Sequence, residues 1–361
     1  MLNIAGAGMA GLAAAARARE LGLDVRLLEK GDRVGGSMLL SSCVIWRFRS
    51  LEDFREECPG GDPALQQQVI EGLDDALDWL RALGAPVVWE ETGNPRTVGL
   101  RFEPLGLAEV LLRAAGVPPE LRSAELPEGP LLLATGGFQG RPALVERHVR
   151  PAAPLRLRAN PWSAGDGLEH ALTRDAAVSA GLDEFYGRNM ADIDFGEAEF
   201  VPLAQLYGQY ATVVNERGEQ FFDGSVSWSE NDLVQATARQ PGAKAWYLLD
   251  DESLAQPVRD RKVAEIAAAA PTATAPEELP FDVPWGTRLA VRVAPAITHT
   301  IGGLRVDPQA RVLDRAGAPL PELYAAGADV GGVSTGGYAS GLAAALVFGR
   351  IAVETAHEEL S

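Results

Sequence analysis

Residues 2–30, LNIAGAGMAGLAAAARARELGLDVRLLEK, constrain the chain more than any other stretch. The apolar run 2–5 is long enough for one buried strand. It breaks into Gly6-Ala7-Gly8-Met9-Ala10-Gly11, and an alanine-rich helical stretch follows to about Gly22. A second apolar run, 25–28, ends on Glu29 and Lys30. Strand, glycine turn, helix, strand and acid together form the dinucleotide-binding βαβ pattern. Gly6 permits the tight turn, Gly8 lets backbone approach a pyrophosphate, and Gly11 lets the helix lie on the strand. The amides and positive end of that helix, opening at Met9 and Ala10, then face the phosphates. Glu29, eighteen residues past Gly11, is spaced to accept hydrogen bonds from ribose hydroxyls. A glycine turn alone also serves ordinary packing. Here the flanking strand, helix and acid all agree, so this end is expected to bind a dinucleotide.

The 361 residues suffice for two domains, and 47% apolar content supports a substantial core. A net charge of −18 argues against nucleic acid and anionic membrane surfaces as partners, since both select basic patches. Only three of the 32 basic residues are lysines (Lys30, Lys244 and Lys262), which reads as compositional bias rather than chemistry. Cys43 and Cys58 lack metal-ligand spacing, so no metal site is expected; a disulfide between them is possible but unneeded in a core this large. There is no CxxCH for covalent haem, no apolar run of membrane-spanning length, and no stretch ahead of the first strand for a signal peptide. A soluble, cytoplasmic protein is the expectation.

After Lys30, the loop Gly31-Asp32-Arg33-Val34-Gly35-Gly36-Ser37 leads to Leu39-Leu40-Ser41-Ser42. A paired glycine here is either a flexible turn or a place where backbone passes a ligand. Leu65, Val69, Leu73, Leu77 and Leu80 recur at helical spacing over 64–83, with Asp74, Asp75 and Asp78 on the wet face. Gly84-Ala85-Pro86 ends that helix before a strand at 87–89. Between 90 and 130, Pro95, Pro104, Pro118, Pro119 and several glycines leave one short helix, about 107–115. Leu131-Leu132-Leu133-Ala134 is a buried strand entering Thr135-Gly136-Gly137-Phe138. Residues 160–182 read as a glycine turn feeding a helix, with Asp166 either its N-cap or a ligand contact. From 183 to 290 short strands, at 209–214 and 245–249, indicate an inserted second domain. The expected division is 1–182 and 291–361 for the dinucleotide-binding domain, with 183–290 a smaller domain between them.

The last seventy residues resemble a known family through His299-Thr300-Ile301-Gly302-Gly303, Val306-Asp307, the hairpin signal Arg315-Ala316-Gly317, Leu323-Tyr324-Ala325-Ala326-Gly327 and Val347-Phe348-Gly349-Arg350. These pieces look like the flavoprotein subunits of fumarate reductase and succinate dehydrogenase, in the branch with ketosteroid and tricarballylate dehydrogenases. The resemblance implies an α/β, Rossmann-like FAD-binding domain, a parallel sheet with helices, carrying an inserted smaller α+β capping domain. It implies further FAD contacts at Lys30, Gly35, Gly36, Ser37 and Ser41, at Ala134, Thr135 and Gly136, and at Gly327. It also places Asp329 nearest the acid that holds the ribityl chain, and the helix opening at Gly341 and Leu342 towards the flavin N1–C2=O edge. No histidine stands where members with covalent flavin carry one, so FAD is expected to be non-covalent.

The family chemistry passes hydride between flavin N5 and one carbon of a C–C bond beside a carbonyl or carboxylate. A proton moves at the neighbouring carbon, and a polarising group stabilises the enolate-like charge. His299 matches the family histidine that contacts the substrate, although a satisfied strand histidine would look the same. Arg288 and Arg292 fall where fumarate-type members place substrate-facing side chains, and equally suit rim ion pairs. Tyr338, in Thr335-Gly336-Gly337-Tyr338-Ala339-Ser340-Gly341, stands in the region where fumarate reductases carry a carboxylate-clamping arginine. A tyrosine holds a dicarboxylate less well than a bidentate arginine, which favours a ketone-type or monocarboxylate substrate over fumarate or succinate. The region 105–130 and the inserted domain are shorter than the family pattern. That leaves a second reading open, an FAD-binding protein without this catalysis that serves in binding or assembly. A small-molecule substrate and an unidentified electron donor or acceptor are the partners expected.

Overall fold

A computed structural model describes residues 1–222, 225–258 and 261–361. The chain divides into two compact units, one of residues 1–148, 159–185 and 299–361, the other of 149–158 and 186–298.

The first unit is built on a six-stranded sheet. Strand β1 (Leu2–Ala5) lies between β2 (Val25–Glu29) and the strand Leu131–Leu133, and helix α1 (Met9–Leu21) makes the crossover. Pro319–Ala325 continues the parallel set beyond Leu131–Leu133, and Glu120–Leu121 extends it beyond β2. Arg311–Leu313 folds back antiparallel on the edge through the turn at Gly317, the hairpin expected from sequence. Both faces of the central strands are buried, which is why 131–133 reads as an unbroken leucine run. The register aligns Ala5 with Leu28 and Leu133, and Leu133 with Ala325. Four parallel strands therefore end level, and the segments that leave them emerge along one sheet edge. Ligands of open α/β sheets bind at that carboxyl edge.

Alanines let α1 bury nearly all round, and the closing helix Gly341–Leu360 rests on it so closely that a Cβ on Gly349 would stand 2.5 Å from the Ala10 carbonyl oxygen. The leucine stripe lies on the helix Pro63–Ala82, with Asp62 capping its first amides and Pro63 at its first position. An antiparallel sheet of Val44–Phe48, Thr97–Phe102 and Val87–Trp89 completes this unit. Its first two strands carry no clean alternation, and the sequence reading passes over both. The helix expected at 107–115 starts earlier, at Pro104, because Glu103 caps it.

In the second unit the long strand Leu289–Thr300 pairs with Ala245–Leu249, which pairs in turn with Thr212–Val214. Its core gathers Tyr207, Leu233, Tyr247, Val291 and Val293. The expected boundaries of 183 and 290 differ from the observed ones for a physical reason. Leu289–Thr300 is continuous, so the chain returns at its end, and Arg156–Leu157 pairs alongside Ala296 and Ile297, drawing 149–158 into this unit. Among the described residues, no helix is long and apolar enough to cross a membrane. None of them groups three or more acidic, histidine or cysteine side chains in a way that could hold a metal. Cys43 and Cys58 are buried free thiols, and burial pushes the Cys43 thiol up to about 12.

Candidate active site

The glycine turn after β1 is held by its own amides. Gly6 N–H donates to Leu28 O at 2.7 Å, and its φ of +111° with a Cβ position 2.1 Å from Ala134 O excludes any side chain. A Cβ on Gly11 would lie 1.7 Å from Gly6 O, so helix and turn touch directly. Gly8 is different. A Cβ there would meet no protein atom nearer than Gly36 Cα at 4.0 Å, and its φ of −80° is open to any residue. The surrounding protein atoms therefore do not require glycine at position 8. The first turn of α1 has no side-chain cap, which leaves its amides directed at that space. Met9 and Ala10 are buried, so backbone is what they offer a ligand.

Glu29 is buried at the end of β2. Its carboxylate accepts Ala7 N–H at 2.8 Å and Gly31 N–H at 2.6 Å, with a lone pair left on each oxygen. Gly35 N–H donates to Ala7 O at 2.7 Å, which draws the second glycine loop against the first and sets Gly36 opposite Gly8. Ser37 accepts from the Asn160 side-chain amide at 2.7 Å, while Asn160 Oδ1 accepts Trp162 N–H and Ser163 N–H, both at 3.0 Å. Asn160 was not among the sequence candidates; the signal was the Asn-Pro pair that opens 160–163, a turn former. Ser41 turns inward to Met38 O at 2.8 Å and closes its own turn.

The 134–136 turn and Asp329 meet. Asp329 is buried and accepts Thr135 N–H, Thr135 Oγ1–H at 3.0 Å and Gly136 N–H at 3.2 Å. Burial pushes its carboxyl up, and these donors oppose the shift. Gly327, with φ +69°, lies where a Cβ would stand 3.2 Å from the Ala10 Cβ. Asp166 is the first residue of the helix Asp166–Thr173 rather than its cap, which is Gly165, and it pairs with Lys30 at 2.6 Å and Arg141 at 3.1 Å. Lys30 and Asp166 thus hold each other, and two expected contacts form one bridge.

In the same unit, Ser340 Oγ accepts Ala343 N–H at 3.3 Å and caps the closing helix. The ring of His299 lies beside its first residue, 3.6 Å from where a Gly341 Cβ would be. Desolvation lowers the His299 pKa to about 4, so the imidazole is neutral at pH 7. Gly341 is exposed and Leu342 partly so, which leaves this helix end accessible. Tyr338 is half-buried against Trp46, ring centroids 5.7 Å apart, on a loop held by Gly336 N–H to Glu184 Oε2 at 2.7 Å. Glu184 O also accepts Ile301 N–H, two residues past His299. Glu184 and Trp46 support both candidate residues, yet nothing in their sequence surroundings marks them.

Arg288 and Arg292 belong to the second unit. Arg288 makes an exposed pair with Asp251 at 2.9 Å, and Arg292 pairs with the buried Asp192 at 2.8 Å. Both therefore stand in ion pairs, the alternative that their sequence left open.

Residues 3–125 and 128–343 match the family model described as an FAD binding domain. A probable fumarate reductase of Shewanella frigidimarina is 24% identical over 98% of this chain and 74% of its own length. Among solved structures, the open conformation of a flavocytochrome c3 fumarate reductase superposes with a TM-score of 0.78 at 21% identity, covering 99% of this chain and 78% of that one. A 3-ketosteroid-Δ4-(5α)-dehydrogenase from Rhodococcus jostii RHA1 gives 0.72 at 20% identity, covering 99% and 96%. The empty space before Gly8, the uncapped amides of α1 and the buried acid at the end of β2 fit the same group. The chain belongs to the FAD-binding domain family, and FAD is its cofactor.

Proposed function

We propose that this protein is an FAD-dependent oxidoreductase that moves hydride to or from a C–C bond beside a carbonyl or carboxylate, with ketone-type or monocarboxylate substrates favoured over fumarate and succinate. The observation that carries the substrate preference is the neutral His299 beside the start of the closing helix, in the same unit as the Tyr338 loop. The loop 334–341, SerThrGlyGlyTyrAlaSerGly, brings no arginine to that place. A neutral donor pair polarises one carbonyl; it does not neutralise two carboxylates.

Bound non-covalently, FAD supplies the hydride acceptor or donor. The chain's own residues do the rest. The turn at Gly6, Gly8 and Gly11 and the loop at Gly35 and Gly36 admit the pyrophosphate between bare backbones. Glu29 accepts from the ribose hydroxyls. Asp329 fixes the 134–136 turn, so that backbone keeps its shape as the cofactor enters. The N-terminus of Gly341–Leu360 favours negative charge at its mouth, which suits a reduced flavin ring. His299 hydrogen-bonds the substrate carbonyl, and the Tyr338 hydroxyl donates or accepts the proton at the carbon next to the one that takes hydride. The electron partner is a small carrier or a protein that the chain itself does not specify.

The test is anaerobic reoxidation of the dithionite-reduced protein by a panel of enones, monocarboxylic enoates and fumarate. Enones or monocarboxylic enoates reoxidising the flavin faster than fumarate supports the reading. Fumarate faster than every enone and enoate overturns the substrate preference. Flavin bound but inert to the whole panel favours the binding or assembly role.

A further inference from the structure

The second unit contains a charge cluster that the proposed reaction does not use. Asp192 is buried, with 2% of its side chain exposed, and three cations close on it: Arg156 at 2.7 Å, Arg292 at 2.8 Å and Lys244 at 3.2 Å. Among the described residues, Asp192 is the single carboxylate within ion-pair distance of any of the three. Two positive charges are left over. They sit on a chain whose formal charge is −18, where a surplus of cations in one place runs against the background.

The cluster is built on sheet backbone. Arg292 lies in Leu289–Thr300, opposite Trp246 in Ala245–Leu249, with its guanidinium 5.8 Å over the indole ring. Lys244 immediately precedes that second strand. Arg156 lies on the strand Arg156–Leu157, paired beside Ala296, and Asp192 N–H donates to Arg292 O at 3.0 Å. The carboxylate is covered, while the three cationic side chains keep 27%, 39% and 34% of their surface for Arg156, Arg292 and Lys244. Asp192 therefore holds one nitrogen of each cationic head from beneath, and the partly exposed side chains keep further N–H donors. Bringing like charges together costs free energy unless something neutralises them, and one buried carboxylate balances a third of this set.

We propose that Arg156, Lys244 and Arg292, anchored on Asp192, form a binding site for a doubly charged oxyanion of the phosphate type. The charge of such a ligand matches the surplus. Two guanidinium groups offer paired N–H donors to tetrahedral oxygens, and the ammonium adds a point charge. The Trp246 ring beside Arg292 gives the site an apolar flank for whatever the phosphate is attached to.

The test is calorimetric titration of inorganic phosphate into the FAD-loaded protein at pH 8 and constant ionic strength. Loading with FAD keeps phosphate out of the pyrophosphate cradle. One phosphate is expected to bind, in preference to acetate. Arg156→Gln and Arg292→Gln should each weaken it by about tenfold or more, the range for removing one charge-assisted contact. Lys244→Gln leaves both arginines on Asp192 and serves as the variant least able to disturb the fold. It should weaken binding several-fold with an unchanged melting temperature. Arg217→Gln, on an exposed turn of the same unit, should bind as wild type does. No binding to wild type, or binding that all three cluster variants retain, overturns the proposal; the latter would be an adventitious ion only.

Discussion

Replacing Gly8 with valine separates what the fold needs from what the cofactor needs. The built Cβ lies 4.0 Å from its nearest protein neighbour, Gly36 Cα, and the backbone at φ −80°, ψ −165° suits a β-branched residue. Losing glycine from a helix cap costs up to roughly 1 kcal/mol, and stiffening the unfolded chain returns about 0.4–1 kcal/mol. The apoprotein should therefore melt within about 1 kcal/mol of wild type. FAD supplied at a hundred times its dissociation constant stabilises wild type by about 2.7 kcal/mol, worth roughly 3–4 °C in melting temperature for a chain of this size. In Gly8→Val that shift should vanish, because the new side chain fills the space the pyrophosphate enters. Gly6→Ala is the contrast. Its Cβ would sit 2.1 Å from Ala134 O on a backbone at φ +111°, so the apoprotein itself should be destabilised. Paired thermal melts with and without FAD read both effects. A Gly8→Val protein that keeps the full FAD shift, or that fails to fold without FAD while wild-type apoprotein folds, would refute the reasoning.

Tyr338→Phe should retain FAD with an unchanged spectrum and lower turnover by about a hundredfold, the smaller end for a lost proton-transfer group; unchanged turnover removes Tyr338 from the mechanism. The His299 pKa of about 4 lies below its unfolded value, so the native state binds fewer protons between pH 4 and 6.5. Stability from this site then falls, by up to about 3 kcal/mol, as pH drops through that window, and His299→Gln should flatten the acid limb of denaturant melts. Glu230 has the opposite sign. Burial raises its pKa to about 7, so stability linked to it is full below pH 4.5 and lost as pH rises through 7. Glu230→Gln should therefore gain on wild type between pH 5 and 8, by up to about 3 kcal/mol, and a pH-independent difference would contradict the assignment.

The first thirty residues were legible because one ligand dictates several residue types at fixed spacing. Gly6 and Gly11 answer to steric contacts within 2.1 Å, and Gly8 answers to open space, yet all three read alike as glycine. Helices announced themselves where one face is wet, as in Pro63–Ala82, and strands where both faces are buried, as in Leu131–Leu133. The strands Val44–Phe48 and Thr97–Phe102 were hidden because their pairing is set fifty residues apart and neither alternates cleanly. The same distance effect hid the supporting residues. Asn160 reaches Ser37 across 123 positions, and Glu184 reaches Gly336 across 152. Arg288 and Arg292 show the converse: a basic residue near the expected place in sequence carries no mark of which acid it will meet.

FAD held in the cradle without a covalent bond underlies every role proposed for the site. The most direct measurement is the visible absorption spectrum of the purified protein, repeated on the supernatant after acid precipitation. A flavin spectrum that passes wholly into the supernatant is the predicted result. A protein that stays colourless after FAD is added, or colour that remains with the precipitate, would contradict it.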